Sequence, residues 1–371
     1  MAALWPAAQA RGISRTVFER AMAAFRPDPE VAELAVRQPE HEMPPGAYLE
    51  HLVTEERIAT GRQLAASNAV LLEGIEAAYG VDRHVLLAIW GIESAYGTAK
   101  GTRNVIRSLA TLAMVDARRA GFWTRELIAA LRLLQDGKTN PVALVGSWAG
   151  AMGHTQFIPS TYSTHAVDFD KDGRRDVWDT VADALASTAN YLKSSGWIAG
   201  APWGFEVTLP AAFDYAWSAP GRPRPLPEWL AAGVRPSGGR QSPTLKQPLQ
   251  LVLPAGAHGP AFLVSGNVRA LLKYNQSLAY ALAVGHLADR IAGGAPLVAA
   301  WPAQDRSLTR PEREELQRLL ISWGFSTGGF DGIIGDQTRS AIRATQRALS
   351  LAEDGHPTIE LLRRLRDNGA P

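Results

Sequence analysis

The sequence predicts a mainly α (α+β) protein: a helical core carrying a small β-containing lobe, followed by a separate three-helix unit. Three observations carry that expectation. Apolar residues recur at helical spacing through most of the first 200 positions. Short strand-like runs replace them between about 203 and 268. Helical spacing then returns and continues to the C-terminus, interrupted by one Gly/Pro/Ala-rich stretch.

Each element has a local reason. SNAVLLEGIEAAYG reads as a helix ending at Gly80, and the next begins with Asp82 as N-cap and runs through HVLLAIWGIE. RELIAALRLLQDG is closed by Gly137 and ADALASTANYLKSSGW by Gly196, because glycine enters the left-handed conformation that ends a helix. WGFEVTLP, LQLVLPAG and AFLVSGN are the strand-like runs, separated by SAPGRPRPLPEW and RPSGGRQSP. VRALLKYNQSLAYALAVGHLADRI returns to helix. GGAPLVAAWPAQD, 293–305, reads as a linker. LTRPEREELQRLLISWGF then opens with a capping box, Thr309 with Glu312, and Pro311 near the helix start. RSAIRATQRALS and PTIELLRRLRD complete three short helices. The expected domains are thus 1–292, including the lobe, and 306–371.

Bulk properties exclude several function classes. The 371 residues carry a formal net charge of +2, so no nucleic-acid partner is implied. Cysteine is absent, which rules out disulfides, thiol nucleophiles, thiolate metal sites and an acylated N-terminal cysteine. No run of eighteen apolar residues suggests a transmembrane segment. The first residues lack a signal-peptide pattern, so a cytoplasmic protein or a processed, exported one is expected.

One carboxylate stands out. Glu93 follows Leu86, Ile89 and Trp90 by seven, four and three residues, so it shares a face with apolar groups at the helix end. A carboxyl against apolar surface resists ionisation and suits an acid that donates a proton near neutral pH. The alternative is a helix-terminal Glu that is solvated or paired with Arg103 or Arg107. Glycosidases usually need two carboxylates, and neither Asp82, Asp116 nor Glu126 pairs obviously with Glu93.

A second pattern lies in VDFDKDGRRDVWDT. Asp168, Asp170, Asp172, Asp176 and Asp179 fall at positions one, three, five, nine and twelve of a loop with Gly173 at six. That is the spacing of an EF-hand calcium loop, in which Arg174 would ligate through its carbonyl. Carboxylates at alternate positions converge only if a hard cation neutralises them. Arg175 at position eight, Asp rather than Glu at twelve, and Pro159 in place of a long preceding helix depart from the pattern.

GIESAYG (91–97), SLATLA (108–113), GSWAGAMGHTQFIPSTY (146–162) and YNQSLAYALAV (274–284) together resemble the lytic murein transglycosylase B family over roughly residues 1–292. The resemblance implies a lysozyme-like fold and cleavage of the β-1,4 bond between N-acetylmuramic acid and N-acetylglucosamine in peptidoglycan. It implies one glutamate, Glu93, acting as acid and then base, while the sugar's own C6 hydroxyl attacks C1 and leaves a 1,6-anhydro end. A second carboxylate is then unnecessary, and Gly91, Ser94, Ala95 and Gly97 are expected to leave room for the glycan. The alternatives are a muramidase with water as nucleophile and a non-catalytic wall-binding scaffold.

By position within the family's motifs, Ser147 and Gln156 are expected to contact sugars and hold the acid, with Tyr48, Tyr191, Tyr274, Asn275 and Tyr280 as cleft residues. Arg118 and Arg119 would meet acidic peptide stems, and Phe122 stands where the family has a tyrosine. In the family the bidentate acid of the metal loop comes from the following helix, which favours Asp183 over Asp176 and Asp179 as the remaining ligand. A structural Ca2+ is implied, and no cofactor for catalysis. GFSTGGFDGIIGDQTRSAIRATQRALSLAEDGHPTIELLRRL resembles the peptidoglycan-binding domain type 1, with Leu316, Leu319, Leu320, Ile342, Leu349, Leu361 and Leu362 as its core and Thr345 at a usually apolar position. The resemblance implies a periplasmic, soluble or wall-associated monomer whose partner is the peptidoglycan glycan strand.

Overall fold

The structure, a computed structural model, describes residues 4–23, 25–37, 43–137, 143–219, 221–239, 244–302 and 306–368. Parts of the Pro/Gly/Ser-rich stretch, of the linker and of the C-terminal tail lie outside these residues. The chain divides into two compact units, one formed by 1–38, 55–199 and 287–292, the other by 39–54, 200–286 and 293–371.

The first unit is built on helices. Arg83–Ser94 is central to it: Leu86, Leu87, Ala88 and Ile89 are fully buried, so this helix is apolar on every side and must be surrounded. Asp82 caps it as expected, accepting the His84 N–H at 2.7 Å. Ala69–Tyr79 ends at Gly80 in the left-handed conformation, again as expected. Val105–Val115 packs against Ala120–Gln135, and Val181–Ser194 follows the aspartate loop. Asn104 caps the first of these through the Arg107 N–H at 2.9 Å. One small feature has no local sequence signal. Arg103–Asn104 and Val145–Gly146 form a two-stranded antiparallel ladder that draws the 146–157 loop toward the end of the Arg83–Ser94 helix.

The second unit contains the β-lobe. Three of its four strands fall in the expected runs: Gly204–Thr208, Gln250–Val252 and Ala261–Val264. Arg235–Pro236 adds a fourth at one edge, where proline's missing N–H is harmless. The order is Arg235–Pro236, Gly204–Thr208, Ala261–Val264, Gln250–Val252, all antiparallel, with Phe205 and Leu251 both opposite Leu263. Val207, Leu251, Ala261 and Leu263 bury one face against Phe213, Leu226 and Trp229. Each of the valine, leucine and phenylalanine side chains contributes roughly 1.5–3 kcal/mol when fully buried. Trp229 has no exposed surface, and its indole N–H is shared by the carbonyls of Arg224 and Leu249, both at 3.2 Å.

The helical return after the lobe is broken in two, Gly266–Tyr274 and Leu278–Ile291. Asn275 leaves helical geometry at φ −143°, ψ 125°, and its side chain accepts the Ser277 N–H at 3.1 Å, a local bond that competes with continuing the helix. The 293–302 segment is tethered to the lobe: the buried Glu206 carboxylate accepts the N–H groups of Val298 (2.8 Å) and Ala299 (2.7 Å). Three C-terminal helices, Arg310–Ser322, Asp336–Ala348 and Ile359–Asn368, enclose Leu316, Leu320, Ile342, Leu361, Leu362 and Leu365. Leu319 and Leu349 pack at the edge of that cluster. The capping box is present with both reciprocal bonds. Thr345 is fully buried and donates to the Ala341 carbonyl at 3.0 Å, which satisfies the hydroxyl that replaces an apolar group.

Candidate active site and aspartate loop

Glu93 is the penultimate residue of the Arg83–Ser94 helix and is half-buried. The helix stops because Ala95 (φ 47°) and Tyr96 (φ 57°) both take left-handed conformations, although neither is glycine. Each such residue costs roughly 1–2 kcal/mol, so surrounding contacts must hold them. The Tyr96 hydroxyl donates to the Arg57 carbonyl at 2.7 Å, and its ring meets Trp90 edge-on with centroids 5.6 Å apart. Burial pushes the Tyr96 phenol well above its ordinary range, so it stays a neutral donor. The Tyr96 N–H reaches the Trp90 carbonyl at 3.2 Å, closing the turn.

The small residues of GIESAYG serve this turn rather than an approaching glycan. A Cβ on Gly91 would lie 2.7 Å from the Tyr96 ring, and one on Gly97 would lie 2.4 Å from the His154 ring. Ser94 is buried, donates to the His154 carbonyl at 2.5 Å and accepts the Gly97 N–H at 2.9 Å. Ala95 alone of the four is exposed. The expectation that all four leave room for a glycan is corrected accordingly: three are committed to internal packing.

His154 is the residue that sequence reasoning missed. Its Nδ1 accepts the Trp90 indole N–H at 3.0 Å, which requires a neutral ring. Burial, helped by the Lys100 charge, lowers its pKa to about 4. The only sequence signal was a lone histidine within a run rich in glycine.

Gln156, at φ 53°, donates to the Lys100 carbonyl at 3.2 Å and the Gly153 carbonyl at 3.0 Å. It therefore grips the far end of the loop that begins after Glu93. Gly101 in that loop lies against the backbone of Gly146 and Ser147, where any Cβ would collide at 2.3–2.5 Å. The Ser147 hydroxyl accepts the Ala151 N–H at 3.1 Å, holding the tight 147–151 turn. Tyr191 packs on Phe157 (6.1 Å) and His165 (4.9 Å), and burial raises its pKa against the opposing hydrogen bond to Ser195. Glu93, Ser147, Gln156 and Tyr191 are thus carried by one unit, and the loop that follows Glu93 contacts both Gln156 and the backbone of Ser147.

The remaining expected residues are distributed differently. Arg118 and Arg119 are exposed in the same unit. Arg119 pairs at 2.9 Å with the buried Asp116 and covers the Trp123 ring. Phe122 lies beneath Arg125, 5.9 Å from its ring centroid. Tyr48, Tyr274, Asn275 and Tyr280 belong to the second unit. Tyr280 is 1% exposed and stacks parallel to the half-buried Tyr274 with centroids 6.4 Å apart.

Other carboxylates considered as partners of Glu93 have structural work. Asp82 is a helix cap, Asp116 accepts from Arg119 and Trp123, and Glu126 is buried and accepts both the N–H (2.9 Å) and hydroxyl (2.8 Å) of Ser160. Arg103 is bound to Asp28 at 3.0 Å and to Glu30, while Arg107 lies 3.9 Å from Asp28. Both arginines proposed as plain ion-pair partners of Glu93 therefore have acidic partners elsewhere.

In the aspartate loop, ligand atoms of Asp168, Asp170 and Asp172 lie within 4.8 Å of one another, so the spacing argument holds for these three. Asp168 Oδ1 is buried and accepts no hydrogen bond. An orphaned carboxylate oxygen facing two further carboxylates fits a hard cation, since burial without a partner is costly. Asp183 is fully buried in the first turn of the Val181–Ser194 helix; its oxygens accept the N–H groups of Phe169 (2.7 Å) and Asp176 (2.8 Å). Burial raises its pKa, and these two bonds oppose the rise. Asp176 Oδ1 accepts from the Trp178 and Asp179 amides and Oδ2 from Arg174. Asp179 is exposed and contacts Lys100 at 3.4 Å.

Residues 1–289 match the transglycosylase SLT domain family, and residues 309–365 match the peptidoglycan binding domain family. The chain is 32% identical over 260 residues to membrane-bound lytic murein transglycosylase B of Escherichia coli K12, spanning 67% of this chain and 68% of that protein. SltB3 of Pseudomonas aeruginosa, solved in complex with NAG-anhNAM-pentapeptide, is similar over 98% of this chain and 97% of its own at 51% identity and a TM-score of 0.93. Escherichia coli Slt35, solved in complex with calcium, is similar over 78% of this chain and 91% of its own at 28% identity and a TM-score of 0.62. Among the described residues, no helix is long and apolar enough to cross a membrane.

Proposed function

We propose, since the chain belongs to the transglycosylase SLT domain family and is a lytic murein transglycosylase acting on peptidoglycan, that Glu93 is its single catalytic acid and base. The carboxyl gives its proton to the glycosidic oxygen between N-acetylmuramic acid and N-acetylglucosamine as the bond from C1 breaks. The C6 hydroxyl of the same muramyl residue attacks C1, and Glu93 takes the hydroxyl proton. The products are a 1,6-anhydro-N-acetylmuramic acid end and a free hydroxyl on the departing sugar, with no water consumed. The observation that carries this reading is the place of Glu93 on a locked helix end, half-buried, while Asp82, Asp116 and Glu126 hold structure. The SltB3 complex, with its anhydro muropeptide, supports the product class.

Ser147, Gln156, Tyr191, Tyr48, Tyr274 and Asn275 are assigned to the glycan. Tyr280, almost without exposed surface, acts by backing Tyr274. Arg118 and Arg119 are assigned to acidic peptide stems. Asp168, Asp170, Asp172, the Arg174 carbonyl and Asp183 would hold a structural Ca2+, with Asp176 and Asp179 as alternates; the Slt35 calcium complex supports this. When bound, the ion neutralises the loop's carboxylates and fixes the start of the helix that carries Tyr191. Residues 1–292 form the catalytic region, and 306–371 bind the wall, raising the local concentration of the enzyme on its polymer. The protein acts in the periplasm as a monomer.

Glu93→Gln on purified murein tests the assignment, with muropeptides read by mass spectrometry. Activity should fall roughly 10²–10⁴-fold while wall binding persists, and wild-type products should end in anhydro-muramic acid. Unchanged activity removes Glu93 from the mechanism; reducing ends in the wild-type digest make water the nucleophile.

A further inference from the structure

We propose that His154 is a positioning residue for Glu93, a clamp that ties the aspartate loop to the turn that aims the acid. The proposal rests on the assignment of Glu93 as that acid. His154 makes contacts in three directions. Its N–H donates to the Val177 carbonyl at 2.9 Å, its carbonyl accepts the Ser94 hydroxyl at 2.5 Å, and its ring accepts the Trp90 indole N–H at 3.0 Å while lying against Gly97. Trp90, Ser94 and Gly97 stand three residues before, one after and four after Glu93, so the clamp brackets the acid across the last helical turn and the left-handed turn that follows it.

Such a bracket has a reason to exist. Ala95 and Tyr96 are held in left-handed backbone geometry, and a turn stored there relaxes unless its neighbours over-determine it. Relaxation would rotate the last helical turn, on which Glu93 sits. The clamp is anchored away from that turn. Val177 lies between Asp176 and Trp178, and Gly153 presses so closely on it that a Cβ would meet the Val177 carbonyl oxygen at 2.2 Å. Lys100, at the far end of the turn, reaches the Trp178 carbonyl. The 176–179 stretch therefore holds the 94–101 segment near both of its ends.

The ring's role is chemically specific. The Trp90 indole N–H is a donor only and is buried, so it needs an acceptor. Neutral histidine supplies one at Nδ1. Asparagine can place its Oδ1 near the same point; leucine fills the space without an acceptor.

The full chain is assayed on purified murein with kcat and KM separated, alongside thermal melting. His154→Leu should lower kcat about 10- to 100-fold, the scale of an acid displaced by an ångström, with KM unchanged within about twofold. His154→Asn should restore most of the lost kcat. Trp90→Phe is the second variant and carries the same prediction should His154→Leu fail to fold. Wild-type kcat in folded His154→Leu, or Asn performing no better than Leu, overturns the clamp. A parallel Glu93→Gln assay separates the two ideas: activity retained there sinks the acid assignment, whereas activity lost there with folded His154→Leu fully active sinks the clamp alone.

Discussion

Asp183→Ala is the perturbation whose size follows most directly from the geometry. The side chain is fully buried, and its two oxygens accept the Phe169 and Asp176 amides at 2.7 and 2.8 Å. These amides lie near the beginning and the end of the aspartate loop, so one carboxylate ties both to the helix that follows. Alanine leaves two N–H groups, that of Asp176 buried and that of Phe169 part-buried, without an acceptor. Hydrogen bonds to a charged group contribute about 1.5–3 kcal/mol each. Removing a buried carboxylate returns part of that, because its desolvation cost disappears. A net loss of roughly 2–4 kcal/mol is expected, read as a lower urea midpoint at unchanged slope with chelator present, so that ion binding does not enter. Asp183→Asn should lose less, since one oxygen survives. Asp179→Ala is the control: its side chain is 84% exposed and its Lys100 contact is 3.4 Å, so it should cost under about 1 kcal/mol. An Asp183→Ala variant within about 1 kcal/mol of wild type would refute the idea that this carboxylate ties the loop to the helix, and the energetics behind it.

Two further outcomes follow from the same region. Calcium at a hundredfold excess over its dissociation constant should stabilise by about 2.7 kcal/mol, raising Tm by several degrees; chelation should reverse this and Asp172→Ala should abolish it, and no calcium-dependent shift in melting would remove the ion from the loop. His154 gives stability a pH dependence with a definite sign. Its folded pKa, about 4, lies below the unfolded value near 6.5. Between those values the unfolded chain binds the proton and the folded one does not, so stability is fully present above about pH 6.5 and falls as pH drops toward 4. The loss is at most about 3 kcal/mol, and chemical denaturation across that window should flatten in His154→Asn; an equal slope in both proteins would contradict it.

Much of the fold was legible because its signals are local. Gly80 closing a helix, Asp82 opening one and the Thr309–Glu312 box each depend on residues within a few positions of one another. The strand-like runs of the lobe were legible for the same reason. What escaped depends on long-range pairing. Arg103–Asn104 becomes a strand only because Val145–Gly146 lies beside it, more than forty residues on. Asn275 interrupts the helical pattern because its side chain captures the Ser277 amide, although the apolar spacing runs straight through it.

The site divides along the same line. Glu93 could be singled out from its own helix, since its spacing from Leu86, Ile89 and Trp90 is a local fact. The reason for the glycines around it could not. Gly91 is small because Tyr96 folds back onto it, and Gly97 because a histidine fifty-seven residues later fills the space. Within the motif alone, the substrate is the one partner such gaps suggest. In the structure the gaps are filled by the protein's own side chains, and the consequence is chemical. Under the proposed mechanism Glu93 acts without a second carboxylate, and its orientation must then be built into the turn that carries it. The two left-handed residues, the tyrosine that anchors them and the histidine wedged beneath fix that turn, which under the proposed mechanism would let one carboxylate serve first as acid and then as base without moving its backbone.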